Sequence, residues 1–246
     1  AEEKYVDLIK GKRVAIVGPA KILLGKNFGK KIDSYDTVIR MNGFFGIEEK
    51  FEKDFGRRCD ILYINGSTGK NSAYMNKEKL IYPFQHIGIR RNSKVIAYSL
   101  FPLQKWNEKG GLKIISKMSI DDTILKRDGP NVLVRKTKHV AAGTIFQEKD
   151  KDTLYNFVEM PLMGSTCIAE AVHAEAKEVY VTGFDFYIKG KEWVGGYAQD
   201  VKRVGGHGYL ENASFMKKMA DEGKITVDDD FYEIITNICS GKVKYE

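Results

Sequence analysis

Short runs of apolar residues, rich in β-branched side chains, recur along the chain. Because they are continuous rather than alternating, they predict strands buried on both faces of a mostly parallel sheet. Between these runs the apolar positions recur at helical spacing, which predicts helices at residues 165–176, 212–221 and 231–238. The predicted strands are residues 14–17, 37–41, 60–64, 94–98 and 178–181.

Strands that alternate with helices predict an α/β fold, namely a Rossmann-like, mostly parallel sheet flanked by helices. A length of 246 residues suits one domain over residues 1–246, and the chain contains no internal repeat or low-complexity linker. Ligands of such folds bind beyond the carboxyl ends of the strands. We therefore expect the functional residues to follow the predicted strands.

The composition argues against several other classes of protein. Hydrophobic residues make up 43% and charged residues 30%, which disfavours both disorder and a coiled coil. No window approaches eighteen uninterrupted apolar residues, and the three cysteines include no C-x-x-C pair. We expect a soluble protein of the reducing cytoplasm, although a membrane anchor outside this sequence would leave no trace in it.

The net charge of +7 is concentrated in the middle of the chain. Residues 61–150 carry 16 basic and 7 acidic side chains, whereas residues 151–246 carry 11 and 16. A basic middle segment fits an anionic ligand or an acidic membrane surface, and it also fits lysines on solvated helix faces. Because no arginine-rich run or aromatic-interleaved basic stripe is present, we expect no nucleic-acid partner.

The glycine-rich and acidic motifs exclude several kinds of site. Gly18, Gly25 and Gly29 follow the first predicted strand, but they match neither G-x-G-x-x-G nor the P-loop pattern. A dinucleotide oxidoreductase and a P-loop NTPase are thereby disfavoured. The H-E-x-x-H pattern is absent, and the acidic runs at 121–122 and 228–230 are typical of helix starts or surfaces. We expect no metal ion.

Three segments carry a more specific pattern. Residues 13–42 end in an Ile-Asp-x-x-Asp-x-Val-Ile-Arg-Met-Asn stretch, and residues 161–184 contain Pro-Leu-Met-Gly-Ser-Thr, a predicted helix and Val-Tyr-Val-Thr-Gly-Phe. The third segment, residues 207–225, contains His-Gly-Tyr-Leu-Glu, a predicted helix and Gly-Lys-Ile. In order and spacing these segments resemble the large, small and very small sialylmotifs of the eukaryotic-type sialyltransferase family. The resemblance implies a glycosyltransferase A-like variant of the fold and a CMP-activated acidic sugar as donor.

The candidate donor-binding residues follow from this resemblance and from their chemistry. Gly18 lets the backbone pass close to a nucleotide, and the amide of Asn42 can both donate to and accept from a ribose or phosphate. A plain turn and a loop cap are the alternative interpretations, and Asp33 and Asp36 are expected to fix the helix–strand turn. The full candidate set is Gly18, Pro19, Ala20, Asn42, Gly164, Ser165, Thr166, Phe184 and Tyr197.

Gly164, Ser165 and Thr166 are expected to open the helix that runs to about residue 176. The unpaired amides of its first turn, together with two hydroxyls, would cradle the leaving phosphate or the donor carboxylate. An ordinary helix cap remains the alternative interpretation, because serine and threonine are favoured there in any case.

His207 is the candidate catalytic base. It stands in a Gly-Gly-His-Gly turn, and an inverting transfer needs a group with a near-neutral pKa to accept the proton of the acceptor hydroxyl. His207 also matches the family's base. Glu211 would orient the imidazole of His207, and an ordinary surface carboxylate is the alternative interpretation. The spacing between His207 and Glu211 is one residue shorter than is common in the family.

The large motif departs from the family pattern at two positions. Val14 stands where the family usually has a cysteine, and Pro19 stands where it usually has an asparagine. Proline has no side-chain amide, so the contact of that asparagine would be lost. The backbone of Ala20 could replace it. The partner cysteine of the small motif falls near Ala176, so the disulfide that joins the two motifs in secretory-pathway members is not expected.

A further family motif, containing His and Tyr between the small and very small motifs, is not recognisable. Residues 192–198 lie there without a histidine, which leaves Tyr197, Lys202 and Arg203 as candidates to stabilise the leaving phosphate. This gap favours a distant branch of the family, with CMP-sialic acid or CMP-Kdo as the donor.

The resemblance implies an inverting, metal-independent glycosyltransferase that needs no cofactor. It would transfer sialic acid or Kdo from the CMP-linked donor to a sugar hydroxyl of a glycan or glycolipid. The alternative that the missing histidine favours is a hydrolytic or non-catalytic protein that binds CMP-sugars or anionic glycans.

Overall fold

The computed structural model describes residues 2–41, 49–65, 95–99, 103–106, 112–116, 133–136, 162–186 and 209–243. For the strands between residues 95 and 136 it describes the backbone alone. The strands are β1 Arg13–Val17, β2 Thr37–Met41, β3 Ile61–Asn65, β4 Val95–Ser99, β5 Leu103–Trp106, β6 Leu112–Ser116, β7 Leu133–Lys136, β8 Glu178–Thr182 and β9 Thr226–Val227. The helices are α1 Glu2–Ile9, α2 Gly29–Asp33, α3 Glu52–Phe55, α4 Met163–His173, α5 Tyr209–Asp221 and α6 Asp229–Cys239.

Seven strands form one parallel sheet in the order β7-β4-β3-β2-β1-β8-β9, and β5 and β6 form a separate antiparallel pair. The first strand of the sheet in the sequence is β1, and the next ones, β2, β3, β4 and β7, are added outward on one side of it. It then returns to place β8 on the other side of β1. The sheet is therefore doubly wound, with its change of direction between β1 and β8, and the predicted fold class is confirmed.

All five predicted strands are present, as β1, β2, β3, β4 and β8. The three predicted helices are present as α4, α5 and α6, with different ends. Helix α4 begins two residues early and ends at His173, because the chain turns at Glu175, whose φ is +59°. Helix α6 begins at the acidic run: Asp228 is its N-cap and accepts from the Phe231 amide over 2.9 Å, as expected for carboxylates at a helix start.

Both faces of the sheet are covered by apolar side chains, which explains the continuous apolar runs. In β1, Val14 and Ile16 pack into a core that contains residues of α1, α4, α5 and α6. Ala15 and Val17 point to the opposite face, against residues of α2 and α3. Within the described residues, no helix combines the length and the apolar character that crossing a membrane requires.

A buried chain of hydroxyls crosses the larger core and joins three elements. The Tyr5 and Tyr63 hydroxyl oxygens are 2.8 Å apart, and Tyr63 donates to Glu170 Oε2 over 2.5 Å. Tyr5 belongs to α1, Tyr63 to β3 and Glu170 to α4, and all three side chains are buried. Because a polar group buried without a partner is costly, these bonds hold α4 in register with the sheet.

Candidate functional site

The change of direction between β1 and β8 marks the place where a doubly wound sheet binds its ligand. In such sheets the connections that follow the two strands leave to opposite faces, so a ligand is expected at the carboxyl ends of β1 and β8. Residues 18–20 follow β1 and residues 183–186 follow β8, so the structure brings Gly18, Pro19, Ala20 and Phe184 to this edge.

Gly18 lies against the loop after β8 at backbone contact distance. Its amide donates to the Thr182 carbonyl over 2.8 Å, and a Cβ added to Gly18 would lie 2.3 Å from the Gly183 carbonyl oxygen. The close approach of these two loops is therefore sufficient reason for glycine at this position. The nucleotide contact of Gly18 stays a prediction.

Pro19 and Ala20 are both buried in this loop. The Ala20 amide, the expected substitute for the side-chain amide that Pro19 lacks, donates to the Gly183 carbonyl over 2.9 Å. The Ala20 N–H thus helps to hold the two loops together, and the contact of the Ala20 backbone with the donor stays a prediction.

The half-buried ring of Phe184 joins the loop after β8 to the start of α4. A Cβ added to Gly164 would lie 2.7 Å from Phe184 Cε1, so the ring rests directly on the glycine. The ring also packs on Phe231 of α6, with 5.8 Å between the ring centroids. Phe184 therefore has a clear packing role, and its contact with the donor stays a prediction.

Gly164, Ser165 and Thr166 lie in the first turn of α4, but the residue that opens the helix is Leu162. The hydroxyl of Ser165 donates over 2.6 Å to the side-chain oxygen of Asn212, and that of Thr166 donates over 3.3 Å to the Leu162 carbonyl. Both hydroxyls therefore donate to groups within the protein, and the contact of Ser165 and Thr166 with the donor stays a prediction. The backbone amides of the first turn are what this helix start offers to an anion.

Asn212 was missed by the sequence reasoning. It lies in α5, is fully buried, and accepts both the Ser165 hydroxyl and the Leu162 amide, the latter over 2.8 Å. The neighbouring Glu211 is solvent-exposed in the first turn of α5. Tyr209 begins this helix, and burial raises the pKa of its hydroxyl.

The other predicted site residues are not among those that the structure describes. His207, Asn42 and Tyr197 lie outside the described residues, as do Lys202 and Arg203. Their roles stay predictions.

The acidic residues of the large motif hold backbone in place. Asp33 accepts from the amides of Arg57 and Arg58 over 2.9–3.0 Å, and Asp36 accepts from the Arg13 amide over 2.8 Å. The same Arg13 amide bond is the main reason that the pKa of Asp36 is lowered. Asp33 and Asp36 therefore join the helix–strand turn to the segment after α3 and to the start of β1.

Arg40 is a buried cation just before the end of β2. Its guanidinium donates to the carbonyls of Phe55 and Arg58, each over 2.7 Å, and burial lowers its pKa to about 10. These bonds fix the end of β2 to the last residue of α3 and to the segment that follows it. Among the described residues, no group of three or more His, Cys, Asp or Glu is placed to hold a metal ion.

The described parts of the three motif segments are thus in mutual contact: the loop after β1, the loop after β8 with the start of α4, and the start of α5. A model of glycosyltransferase family 29 (sialyltransferase) matches residues 7–94. The matched residues include the described part of the first motif segment, so this part of the chain is similar to the sialyltransferase family.

Individual sialyltransferases match over different shares of the chain. The human CMP-N-acetylneuraminate-beta-1,4-galactoside alpha-2,3-sialyltransferase is 26% identical over 195 residues, which cover 74% of this chain and 46% of that protein. The mouse alpha-N-acetylgalactosaminide alpha-2,6-sialyltransferase 2 is 43% identical over 60 residues, which cover 24% of this chain and 16% of that protein. The human enzyme matches most of this chain, but the chain spans only about half the length of that enzyme.

Solved sialyltransferases share the fold. A mammalian sialyltransferase in complex with Gal-beta-1-3GalNAc-ortho-nitrophenol superimposes with a TM-score of 0.51 at 17% identity, covering 91% of this chain and 71% of that one. At this identity the likeness concerns the fold alone, and it agrees with the doubly wound sheet described above.

Proposed function

We propose that the chain is a glycosyltransferase domain that moves sialic acid, or the related acid Kdo, from a CMP-linked donor to a glycan hydroxyl. The observation that carries the proposal is the contact between the three sialylmotif segments at the carboxyl ends of β1 and β8. A ligand site is expected there from the topology of the sheet alone. Similarity to sialyltransferases supports the class of donor.

The proposed reaction needs a site for an anion and a base. The first-turn amides of α4 would hold the CMP phosphate, since they carry partial positive charge and have no carbonyl acceptor within the helix. His207 would accept the proton of the acceptor hydroxyl while that oxygen attacks the anomeric carbon and the bond to CMP breaks. Attack on the face opposite to CMP inverts the configuration at the anomeric carbon.

The acceptor is a sugar hydroxyl of a glycan or glycolipid under this proposal. The relatives named above are described as acting on galactosides and on N-acetylgalactosaminides, which makes galactose-terminated oligosaccharides the first acceptors to try. The basic segment over residues 61–150 would favour the approach of an acceptor on an anionic surface.

CMP is expected to stabilise the protein against thermal unfolding more than UMP, GMP or AMP does. A ligand at a hundredfold its Kd adds about 2.7 kcal/mol to the stability of the native state, which for this length corresponds to a Tm rise of about 5–10 °C. Differential scanning fluorimetry with each of the four nucleotides measures the rise in Tm. UMP is the matched control, because it differs from CMP only at the base, and equal shifts with CMP and UMP would contradict a cytidine-specific site.

Transfer is expected to proceed without a divalent metal, because helix amides and not a cation would neutralise the departing phosphate. CMP release from CMP-sialic acid and CMP-Kdo should be unchanged by EDTA and should depend on a galactoside acceptor. Complete loss in EDTA with rescue by Mg²⁺ or Mn²⁺ would refute metal independence. Equal release with and without acceptor would instead identify a CMP-sugar hydrolase.

A further inference from the structure

Charged side chains are distributed unequally between the two covered faces of the sheet. Helices α2 and α3, with the loop before α2, cover one face, and residues 21–36 and 49–58 carry eight basic and five acidic side chains. Helices α5 and α6 pack on the other face, and residues 209–243 carry four basic and seven acidic side chains. The described part of the protein is therefore electrically polar, with its positive side at α2 and α3.

Most acidic side chains of the positive side are bonded within it. Asp54 is 9% exposed and accepts from two backbone amides of the loop before α2, over 2.8 and 2.9 Å. Asp33 accepts from the amides after α3 that were described above, and Glu52 forms an ion pair with Arg57 over 3.0 Å. These carboxylates are therefore held by backbone amides and a guanidinium, and their charge is partly compensated there.

Exposed lysines form the outer surface of this side. A Cβ added to Gly29 of α2 would overlap the Glu52 carbonyl oxygen of α3, so the two helices are in backbone contact and share one surface. Lys31 is directed onto the ring of Tyr180, 3.9 Å from its centroid, and Glu49 is an exposed carboxylate. The basic face is defined by the other exposed lysines of these helices and of the short segments before them, namely Lys21, Lys30, Lys50 and Lys53.

The loop before α2 presents an apolar side chain at the border of the basic face. Leu24 is 40% exposed, although the residues that follow it are fixed by the bonds to Asp54. Lys26 forms an ion pair with Asp230 of α6 over 2.5 Å. Because α6 begins just after β9, this ion pair places the loop at the carboxyl edge of the sheet. Leu24 therefore lies where the basic face meets the edge at which a ligand is expected.

We propose that the basic face and Leu24 dock the protein on an anionic lipid bilayer. Lysines within a Debye length of about 10 Å are attracted to anionic headgroups, and a leucine among them enters the boundary with the acyl chains. A soluble polyanion offers no such apolar layer. The inference goes beyond the proposed function: in this orientation the carboxyl edge of the sheet lies beside the bilayer, within reach of acceptors that are carried on lipids.

Loss of two lysines from the basic face is expected to weaken vesicle binding. The wild-type protein should sediment with vesicles of three parts phosphatidylcholine and one part phosphatidylserine, and not with pure phosphatidylcholine. In the Lys30→Gln/Lys53→Gln protein the affinity should fall about 30-fold, since each lysine near such a surface contributes roughly a factor of five. Lys224→Gln/Lys242→Gln is the matched control, because it removes two exposed lysines after α5 and α6, and it should bind as the wild type does.

Leu24→Ser separates a bilayer from a soluble polyanion. Its affinity for the anionic vesicles should fall about fivefold, because the leucine no longer enters the apolar boundary. Leu210→Ser removes a leucine that is 54% exposed on α5, and it should bind as the wild type does. Tm checks the folding of every variant. Equal binding by the two serine variants overturns the inference, and so does an equal loss in the two glutamine pairs or binding to polyphosphate without binding to vesicles.

Vesicle binding needs neither CMP nor a reaction, so the inference and the proposed function fail separately. A protein that binds anionic vesicles and releases no CMP from CMP-sugars supports the docking and refutes the proposed function. A protein that transfers sugar but ignores vesicles overturns the docking alone. With a galactoside glycolipid in the vesicles, transfer by the Lys30→Gln/Lys53→Gln protein should fall with its vesicle affinity, and transfer to a soluble galactoside should stay at the wild-type rate.

Discussion

Replacement of His207 by alanine is expected to lower kcat for sugar transfer by roughly 10²–10⁴-fold, the usual contribution of a positioned general base. CMP affinity should be retained, because the proposed phosphate contacts come from α4 and not from the imidazole. In the wild-type protein kcat/KM should fall below about pH 6.5, where an ordinary histidine becomes protonated and can no longer accept a proton. This fall in kcat/KM at low pH should be absent in the His207→Ala variant.

His173→Ala is the matched control for this experiment. His173 is the exposed last residue of α4, at the end of the helix opposite to the proposed phosphate site. Its replacement also removes an imidazole, and kcat should stay at the wild-type value. Steady-state CMP release measures kcat, and calorimetric titration with CMP measures the CMP affinity. Equal turnover in the His207→Ala and wild-type proteins would exclude the base role.

The strands were predictable because each side of the sheet is covered. A residue such as Val14 and its neighbour Ala15 point to opposite cores, so apolarity is required at every position and appears in the sequence as a continuous run. Helix α1 was not predicted, although Tyr5 and Ile9 are buried one helical turn apart, because an eight-residue segment gives too short a period to detect.

Strands β5, β6 and β7 were not predicted either, and their sequences explain why. Residues 103–106 and 133–136 contain lysine or arginine among the apolar residues, and each run has only four positions. Such short mixed runs do not distinguish a strand from a loop. Their pairing depends on partners elsewhere in the chain, which a local pattern does not contain.

The candidate site was predictable as a location and not as a set of contacts. The resemblance drew attention to Ser165, but its hydroxyl bonds to a residue 47 positions away. Asn212 itself occupies the family's usual spacing from His207, where Glu211 is one residue too close, so a signal was present in the sequence. Its meaning became clear only from a tertiary contact with the N-cap residue of another helix.

The contact between the loops after β1 and β8 predicts a large loss of stability for two glycine substitutions. A Cβ on Gly183 would lie 2.5 Å from the Gly18 carbonyl oxygen, at a residue whose φ is +78°. Gly18→Ala should meet the same obstacle from the other side, at 2.3 Å from the Gly183 oxygen. Each variant is expected to lose about 3 kcal/mol or more of unfolding free energy, because the obstructing atoms are backbone and the sheet restrains them.

Gly11→Ala separates the effect of the contact from that of backbone conformation. Gly11 has a φ of +68°, similar to that of Gly183, but an added Cβ would meet nothing within 4 Å, so only the left-handed conformation should cost stability, by about 1–2 kcal/mol. Guanidinium unfolding monitored by circular dichroism measures all three variants. Equal losses in Gly183→Ala and Gly11→Ala would show that the loops separate easily. In the double variant of Gly18 and Gly183 the loss should be smaller than the sum, since the first methyl group already forces the two loops apart.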